Sequence, residues 1–408
     1  MWEFVVVQHV LVAPDKFKGS LTAAEVAARV SAGLGVPSVE LPVADGGDGT
    51  VDAAVAAGFS RITIEVTGPT GERIPASYAW QATNDGAGDE AGEGTGEGPG
   101  DGVATAVVEL AEASGLRRLP GGHEPLTATS YGTGELVADA VRRGARRVVL
   151  GLGGSACTDG GAGLAQALGA RLLDGDGQDL PYGGAALKSL ARIDMSGFID
   201  ISGVEFVVAS DVDNPLLGPH GAAAVYGPQK GATPDDVRTL EAGLSRLAAV
   251  ATATHGLMGA VEHDDTPRAM GVAGAPGAGA AGGVGFAALA FLHAELQPGI
   301  GYLLGLLGFG ALVADARLVI TGEGSLDEQS LRGKAPIGVA QAAAEAGVPV
   351  VAVCGRRTLS DAELKEAGIE AAYALTDLEP DLDRCMAEAG PLLERLAARL
   401  AAAHLGGA

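Results

Sequence analysis

The chain has 408 residues, with 27 Lys and Arg against 51 Asp and Glu and a formal net charge of −24. That charge argues against nucleic acid or an anionic membrane as the main partner, and the length predicts more than one core. Cys157, Cys354 and Cys385 form no Cys-x-x-Cys pair, which predicts a reducing, cytoplasmic setting without a disulfide framework or structural zinc. An acidic chain that captures an anionic small molecule must be locally basic, so its few lysines carry information.

Met1 to Ala13 lacks a basic n-region and a long apolar core, and reads as a strand rather than a signal peptide. The loop after it, Ala13-Pro-Asp-Lys-Phe-Lys-Gly-Ser20, carries Lys16 and Lys18 ahead of a helix that Thr22 and Glu25 open as a capping box. Lysines there suggest phosphate or carboxylate capture. A second strand, Val39 to Val43, ends in Ala44-Asp-Gly-Gly-Asp-Gly49. Its glycines allow close backbone approach around Asp45 and Asp48, either of which could serve as base or metal ligand.

Thr63 to Trp80 reads as a hairpin about a Gly68–Gly71 turn that pairs with Ala104 to Glu109 in an antiparallel or mixed sheet. The acidic, Gly-rich stretch 84–102 between them cannot bury enough to order itself and reads as a solvated excursion. Thr129 and Ser130 precede a helix, where their hydroxyls could contact an anion or cap the helix. Arg147 to Leu150 then leads into the densest glycine loop, Gly151 to Gly163, in which Gly153, Gly154, Ser155, Thr158 and Asp159 form a candidate anion cradle. No Gly-x-x-x-x-Gly-Lys-Ser/Thr occurs, so it is not a Walker A loop.

The apolar run Val204 to Ala209 reads as a buried strand ending in Ser210, Asp211, Asp213 and Asn214, after which a Gly/Pro-rich loop delivers Lys230. Two carboxylates, an amide and a lysine can hold a divalent metal and an anionic group together, the requirement of phosphoryl transfer. Gly271 to Gly285 reads either as a flexible linker or as a glycine-lined wall. The uncharged stretch Leu296 to Ala314 is interrupted by glycines and reads as buried helix and loop, not a membrane span. Arg317 to Thr321 leads to Glu323 and Asp327, followed by Arg332 and Lys334, and Ser360 and Glu363 mark a second capping box. Short apolar strands alternating with helices predict a parallel α/β sheet, whose ligands sit beyond the carboxyl ends of the strands.

The segments APDKFKGSL, PVADGGDGT, ATSYGTGEL, GLGGSACTDGGAG, SDVDNPLLGP, VYGPQKGA, GAGAAGG and LVITGEGSLDEQSLRGKAP together resemble the bacterial glycerate kinase family of the glycerate 2-kinase type, in the expected order over nearly the whole chain. Departures are the 84–102 insertion, the Gly/Leu-rich stretch near Tyr302 to Gly310, and Cys157-Thr158 where Thr-Asn is frequent, which weakens a role for Thr158.

The resemblance implies two α/β domains with the site between them. One is a Rossmann- or flavodoxin-like parallel sheet built from both chain ends, expected at 1–65 plus 290–408. The other is an inserted α/β domain with a mixed sheet, expected at 66–289. It also implies ATP and Mg²⁺ as cofactors and D-glycerate as acceptor, giving 2-phosphoglycerate, with no nucleic acid or membrane partner and homo-oligomerisation left open. On this reading Asp45 or Asp211 is the base, and Asp213, Asn214 and Glu323 contact the metal. Lys16, Lys230 and Lys334 neutralise phosphate or carboxylate charge, and Lys18, Asp48 and the Gly153 to Gly161 loop complete the binding surface. The alternatives are a kinase of a four-carbon sugar acid, transfer to the 3-hydroxyl, and a nucleotide-binding regulator without catalysis.

Overall fold

The computed structural model describes residues 8–83, 102–255 and 271–406. Apart from Gly102, the stretch 84–102 lies outside the described residues. The chain begins with β1 (His9–Pro14) and β2 (Ser38–Glu40) and runs through β3 (Ser60–Thr67), β4 (Arg73–Gln81), β5 (Thr105–Glu109) and β6 (Arg147–Gly151). It continues with β7 (Arg171–Leu173), β8 (Arg192–Asp194), β9 (Glu205–Ala209) and β10 (Glu295–Gln297), and ends with β11 (Ala316–Leu326), β12 (Val350–Arg357) and β13 (Ala371–Ala374).

Strands from both chain ends form a parallel sheet in the order β2-β1-β11-β12-β13. This is the flavodoxin-like 2-1-3-4-5 arrangement, in which the chain leaves the neighbouring strands β1 and β11 in opposite directions and opens a crevice between them. Along β1, Val10 and Val12 pack with Val26, Val30, Ile320 and Leu392 on one face, while Leu11 and Ala13 pack with Val43, Val319 and Ala340 on the other. Burial on both faces is why this strand reads as a continuous apolar run. The helices Ala23–Leu34 and Asp361–Glu366 begin at the expected capping boxes: Thr22 Oγ1 accepts from Glu25 N–H at 3.2 Å, and Ser360 Oγ accepts from Glu363 N–H at 3.4 Å.

The second sheet has the order β10-β9-β6-β5-β4-β3, antiparallel across β3, β4 and β5 and parallel from β5 to β10. The expected fold class, a terminal parallel sheet with an inserted mixed-sheet unit, is what the chain adopts. The strands nearest the expected boundaries at 65 and 290 are placed differently. Ser60–Thr67 and Glu295–Gln297 both belong to the second sheet. The first is half of a hairpin closed by the Gly68–Gly71 turn, so it travels with β4. The second pairs with β9.

The two sheets share an apolar layer in which the helices Thr50–Ala56 and Gly299–Leu306 bring Val51 and Ile300 against Leu11 and Val319 of one sheet and Val107 and Ala209 of the other. The second of these helices and Phe309–Val313 account for the uncharged Leu296 to Ala314 stretch. Among the described residues no helix is long and apolar enough to cross a membrane. Gly271 to Gly285 is a wall rather than a linker: a Cβ on Gly282 would lie 2.1 Å from the Cys157 carbonyl oxygen.

Candidate active site

The carboxyl ends of β1, β2 and β11 in the first sheet and of β6 and β9 in the second converge on two adjoining cavities. The contact between the sheets at this point is backbone on backbone, which only glycine permits. Gly153 N–H donates to Gly46 O at 3.0 Å. A Cβ on Gly153 would lie 2.4 Å from Gly47 Cα, and one on Gly46, which has φ +91°, would lie 2.5 Å from Ala209 O. The two glycine motifs first of all bring Asp45 against the second sheet.

The larger cavity, about 630 Å³, opens at the β1/β11 crevice. Lys16, Lys18, Lys334 and Arg356 line it together with Asp15, Asp45, Asp48 and Glu323. Four cations among four carboxylates make it far less acidic than the chain as a whole. Its lining also has an apolar part, Leu375, Leu382, Cys385 and Met386, of which Leu382 and Met386 are exposed. The smaller cavity, about 180 Å³, is lined by Leu152, Ala209, Ser210, Asp211, Ala280 and Ala281. Asp45, Gly47, Gly153 and Lys334 line both and mark the junction.

Asp15 is buried and accepts from Lys16 N–H at 2.6 Å, with Lys16 Nζ 3.3 Å away. Burial pushes its carboxyl up to about 6 against the opposing charge of Lys16. Burial pulls the Lys16 ammonium down, but Asp15, Asp45 and Asp48 outweigh it and the net shift is upward. Lys16 is therefore a firmly held cation. Glu323 is buried 3.8 Å from Lys334 Nζ, and among the described residues its Oε1 has no hydrogen-bond partner. Burial pushes it up to about 7, opposed by Ser330 and Lys334 and reinforced by Asp15.

A carboxyl whose pKa is higher in the folded chain than in the unfolded one holds an extra proton in the fold between those two values. For Glu323 this means that stability is lost as pH rises from 4.5 to about 7. Glu323→Gln is expected to raise the Tm of the ligand-free protein above that window by a few degrees. It should also remove the Glu323 share of the decline, at most about 1.4 kcal/mol per pH unit. Thermal unfolding across the window checks this, and a variant curve parallel to the wild type contradicts it.

Asp211 is exposed at the smaller cavity, and its Oδ1 accepts from Gly299 N–H at 2.8 Å at the start of the Gly299–Leu306 helix. Partial desolvation raises its carboxyl, the Gly299 N–H opposes, and the Asp45 charge adds to the rise. Asp45 Oδ1 accepts from Gly47 N–H at 3.3 Å. Asp48 faces the larger cavity but is engaged by Arg117 Nε at 3.2 Å.

Several expected site residues lie elsewhere. Lys230 is 2 % exposed and lines neither cavity; its ammonium donates to Ser155 Oγ at 2.8 Å and Cys157 O at 2.6 Å beneath the glycine loop. Burial lowers its pKa, with Cys157 and Asp159 opposing. Ser155 is thus engaged from below, and Thr158 is buried with it. Asp159 is buried and braces two loops, accepting from Ser130 N–H and Oγ at 2.8 Å and from the N–H groups of Gly161 and Gly163 at 3.0 and 3.2 Å. Asn214 staples its own loop, donating to His220 O at 2.8 Å and accepting from Tyr226 OH at 2.6 Å.

Asp213 is exposed and lines neither cavity. Asn214 likewise lines neither cavity, whereas Glu323 lines the larger. Among the described residues no three His, Cys, Asp or Glu side chains gather closely enough to hold a metal ion. The side chain of Arg332 lies outside the described residues.

Not legible in the sequence were Asp15 and Ser325, at strand ends already singled out, Arg356 at the end of β12, and the apolar wall. Glu109 was missed as well. This carboxyl is buried, accepts from Gly49 N–H at 3.1 Å and Val51 N–H at 3.2 Å, and so anchors the turn that carries Asp45 and Asp48. Burial pushes it up to about 7, opposed by Val51 and Arg117. An acidic residue closing the apolar run Ala106-Val-Val was the available signal.

Residues 10–405 match the model of the glycerate kinase family. The chain belongs to the glycerate kinase family. It is 42% identical over 401 residues to a glycerate kinase of Halalkalibacterium halodurans, covering 96% of this chain and 97% of that one. It is 41% identical over 375 residues to the glycerate 2-kinase of Escherichia coli K12, covering 90% of each. A crystal structure of a Salmonella typhimurium LT2 protein assigned as glycerate kinase 2 superposes with a TM-score of 0.76 at 38% identity, covering 98% of this chain and 99% of that one. The family resemblance read from the sequence, and the enzyme class it implied, are borne out.

Proposed function

We propose that this member of the glycerate kinase family transfers the γ-phosphoryl group of ATP to the 2-hydroxyl of D-glycerate, with the nucleotide in the larger cavity and the acid in the smaller. The observation that carries the reading is the shared wall: Asp45 and Lys334 line both cavities. The larger cavity is within the ~300–1,000 Å³ of small-molecule sites and is amphipathic, as a nucleotide is. Its lysines suit a triphosphate, and its Leu382 and Met386 side chains suit a nucleobase. The smaller cavity, about 180 Å³, has room for a short acid but not for a nucleotide.

Phosphoryl transfer needs positioning and charge neutralisation more than covalent chemistry. At the junction, Asp45 takes the proton of the attacking hydroxyl. Asp211, steadied by Gly299 N–H, orients that hydroxyl from the acid side. Lys334 and Lys16 offset the charge on the transferred group. Mg²⁺ prefers one or two carboxylates plus phosphate oxygens and water, and Glu323 Oε1, which has no hydrogen-bond partner among the described residues, with the neighbouring Asp15 is the donor set that would fit it. When bound, the ion neutralises phosphate charge. A kinetic comparison of D-glycerate with a four-carbon acid separates the two acceptors. A non-catalytic regulator would have no need of Asp45 and Lys334 between two cavities.

ADP release measured with ATP and D-glycerate, with phosphorus NMR of the product, tests the reading. Glycerate-dependent ADP and a phosphorus doublet from the single proton on C2 are expected. A triplet would move transfer to the 3-hydroxyl, and ADP release indifferent to glycerate would overturn the assignment.

A further inference from the structure

Ala281, Gly282 and Gly283 form three consecutive left-handed residues, with φ 53°, 68° and 92°. Two of them can only be glycine. A Cβ on Gly282 would lie 2.1 Å from Cys157 O, and one on Gly283 would lie 2.6 Å from Leu216 Cδ1 and 2.8 Å from Gly160 Cα. Position 281 is the exception. It carries a side chain in a conformation that strains L residues and that glycine adopts freely. It is also the one of the three that lines the smaller cavity. Backbone strain kept at a cavity wall points to a use for the group that causes it.

We propose that the Ala281 methyl is a steric stop that sets the length of acid the enzyme accepts, holding it to three carbons. The proposal rests on the reading that the acid occupies the smaller cavity. One methylene of misfit in a well-shaped pocket changes kcat/KM by roughly 10- to 200-fold, so removing the methyl has a measurable consequence. It should also relieve strain, which separates this role from a purely structural one. If the methyl served stability, its loss would lower Tm and leave the choice of substrate unchanged.

The test compares kcat/KM for D-glycerate and D-erythronate, its four-carbon homologue, in wild type, Ala281→Gly and Ala281→Asn, with Tm and the KM for ATP measured for each. Asn tolerates the left-handed region and adds bulk to the wall. Ala281→Gly is expected to keep or raise Tm and to move the erythronate-to-glycerate ratio by about tenfold or more toward erythronate. Ala281→Asn is expected to raise the glycerate KM about tenfold or more with the KM for ATP unchanged. An unchanged ratio in Ala281→Gly, with the glycerate KM raised in Ala281→Asn, overturns the stop and leaves the cavity assignment standing. A glycerate KM unmoved in Ala281→Asn, or a raised KM for ATP instead, overturns both.

Discussion

Asp45→Asn is expected to lower kcat by about 10²- to 10⁴-fold while leaving Tm and the KM for ATP close to wild type. Asn has the same shape and can still accept from Gly47 N–H, so the turn between β2 and the Thr50–Ala56 helix keeps its geometry. What is lost is the ability to take a proton at the junction of the two cavities. Asp211 serves as the internal comparison. Its Oδ1 already holds Gly299 N–H, and it lines the smaller cavity. Asp211→Asn is therefore expected to weaken glycerate binding more than turnover. Steady-state kcat and KM for both substrates check the assignment. Near-native turnover in Asp45→Asn with collapse in Asp211→Asn would exchange the two roles.

Lys334→Ala should cost about 10²- to 10³-fold in kcat, the usual consequence of removing one preorganised charge from a developing anion. The residue stands at the N-cap position of the Ala335–Glu345 helix, where Pro336 in the first turn already favours helix, so truncating the side chain leaves the helix start in place. It also releases Glu323, whose Oε2 lies 3.8 Å from the ammonium. Lys334→Arg keeps the charge but presents a planar fork instead of a compact ammonium, and a partial recovery is expected. A Lys334→Ala enzyme with kcat within threefold or so of wild type would remove Lys334 from the transferred group.

The fold was legible because its signals are local. The Thr22–Glu25 and Ser360–Glu363 boxes start helices through their own side chains. The runs Val10–Ala13, Val148–Leu150, Phe206–Ala209 and Val350–Cys354 are apolar because they are buried in the parallel parts of the two sheets. The same logic pointed to the strand ends as the candidate site, since ligands of such sheets gather there. It could not say which way each loop turns afterwards. The segment after β9 sends Asp211 to the cavity, turns Asn214 onto its own backbone and, past the short helix Ala222–Tyr226, buries Lys230 under Ser155.

Composition likewise could not tell an anion cradle from a brace. Asp159 has the residue type of one and the hydrogen bonds of the other. Leu382 and Met386 come from a helix far along the chain and have no local signature. The hairpin over Thr63 to Trp80 was legible, but composition alone could not place a boundary beside it, because pairing partners decide which sheet Ser60–Thr67 and Glu295–Gln297 join.

The proposed transfer requires a nucleotide and an acid to meet between Asp45 and Lys334. The most direct measurement is a crystal structure of the full chain with a non-hydrolysable ATP analogue and D-glycerate. It is predicted to place the terminal phosphate between Lys16 and Lys334, the base against Leu382 and Met386, and the glycerate 2-hydroxyl facing Asp45 with the acid beside Asp211. A nucleotide bound away from the β1/β11 crevice, or glycerate outside the cavity walled by Ala209 and Ala281, would contradict it.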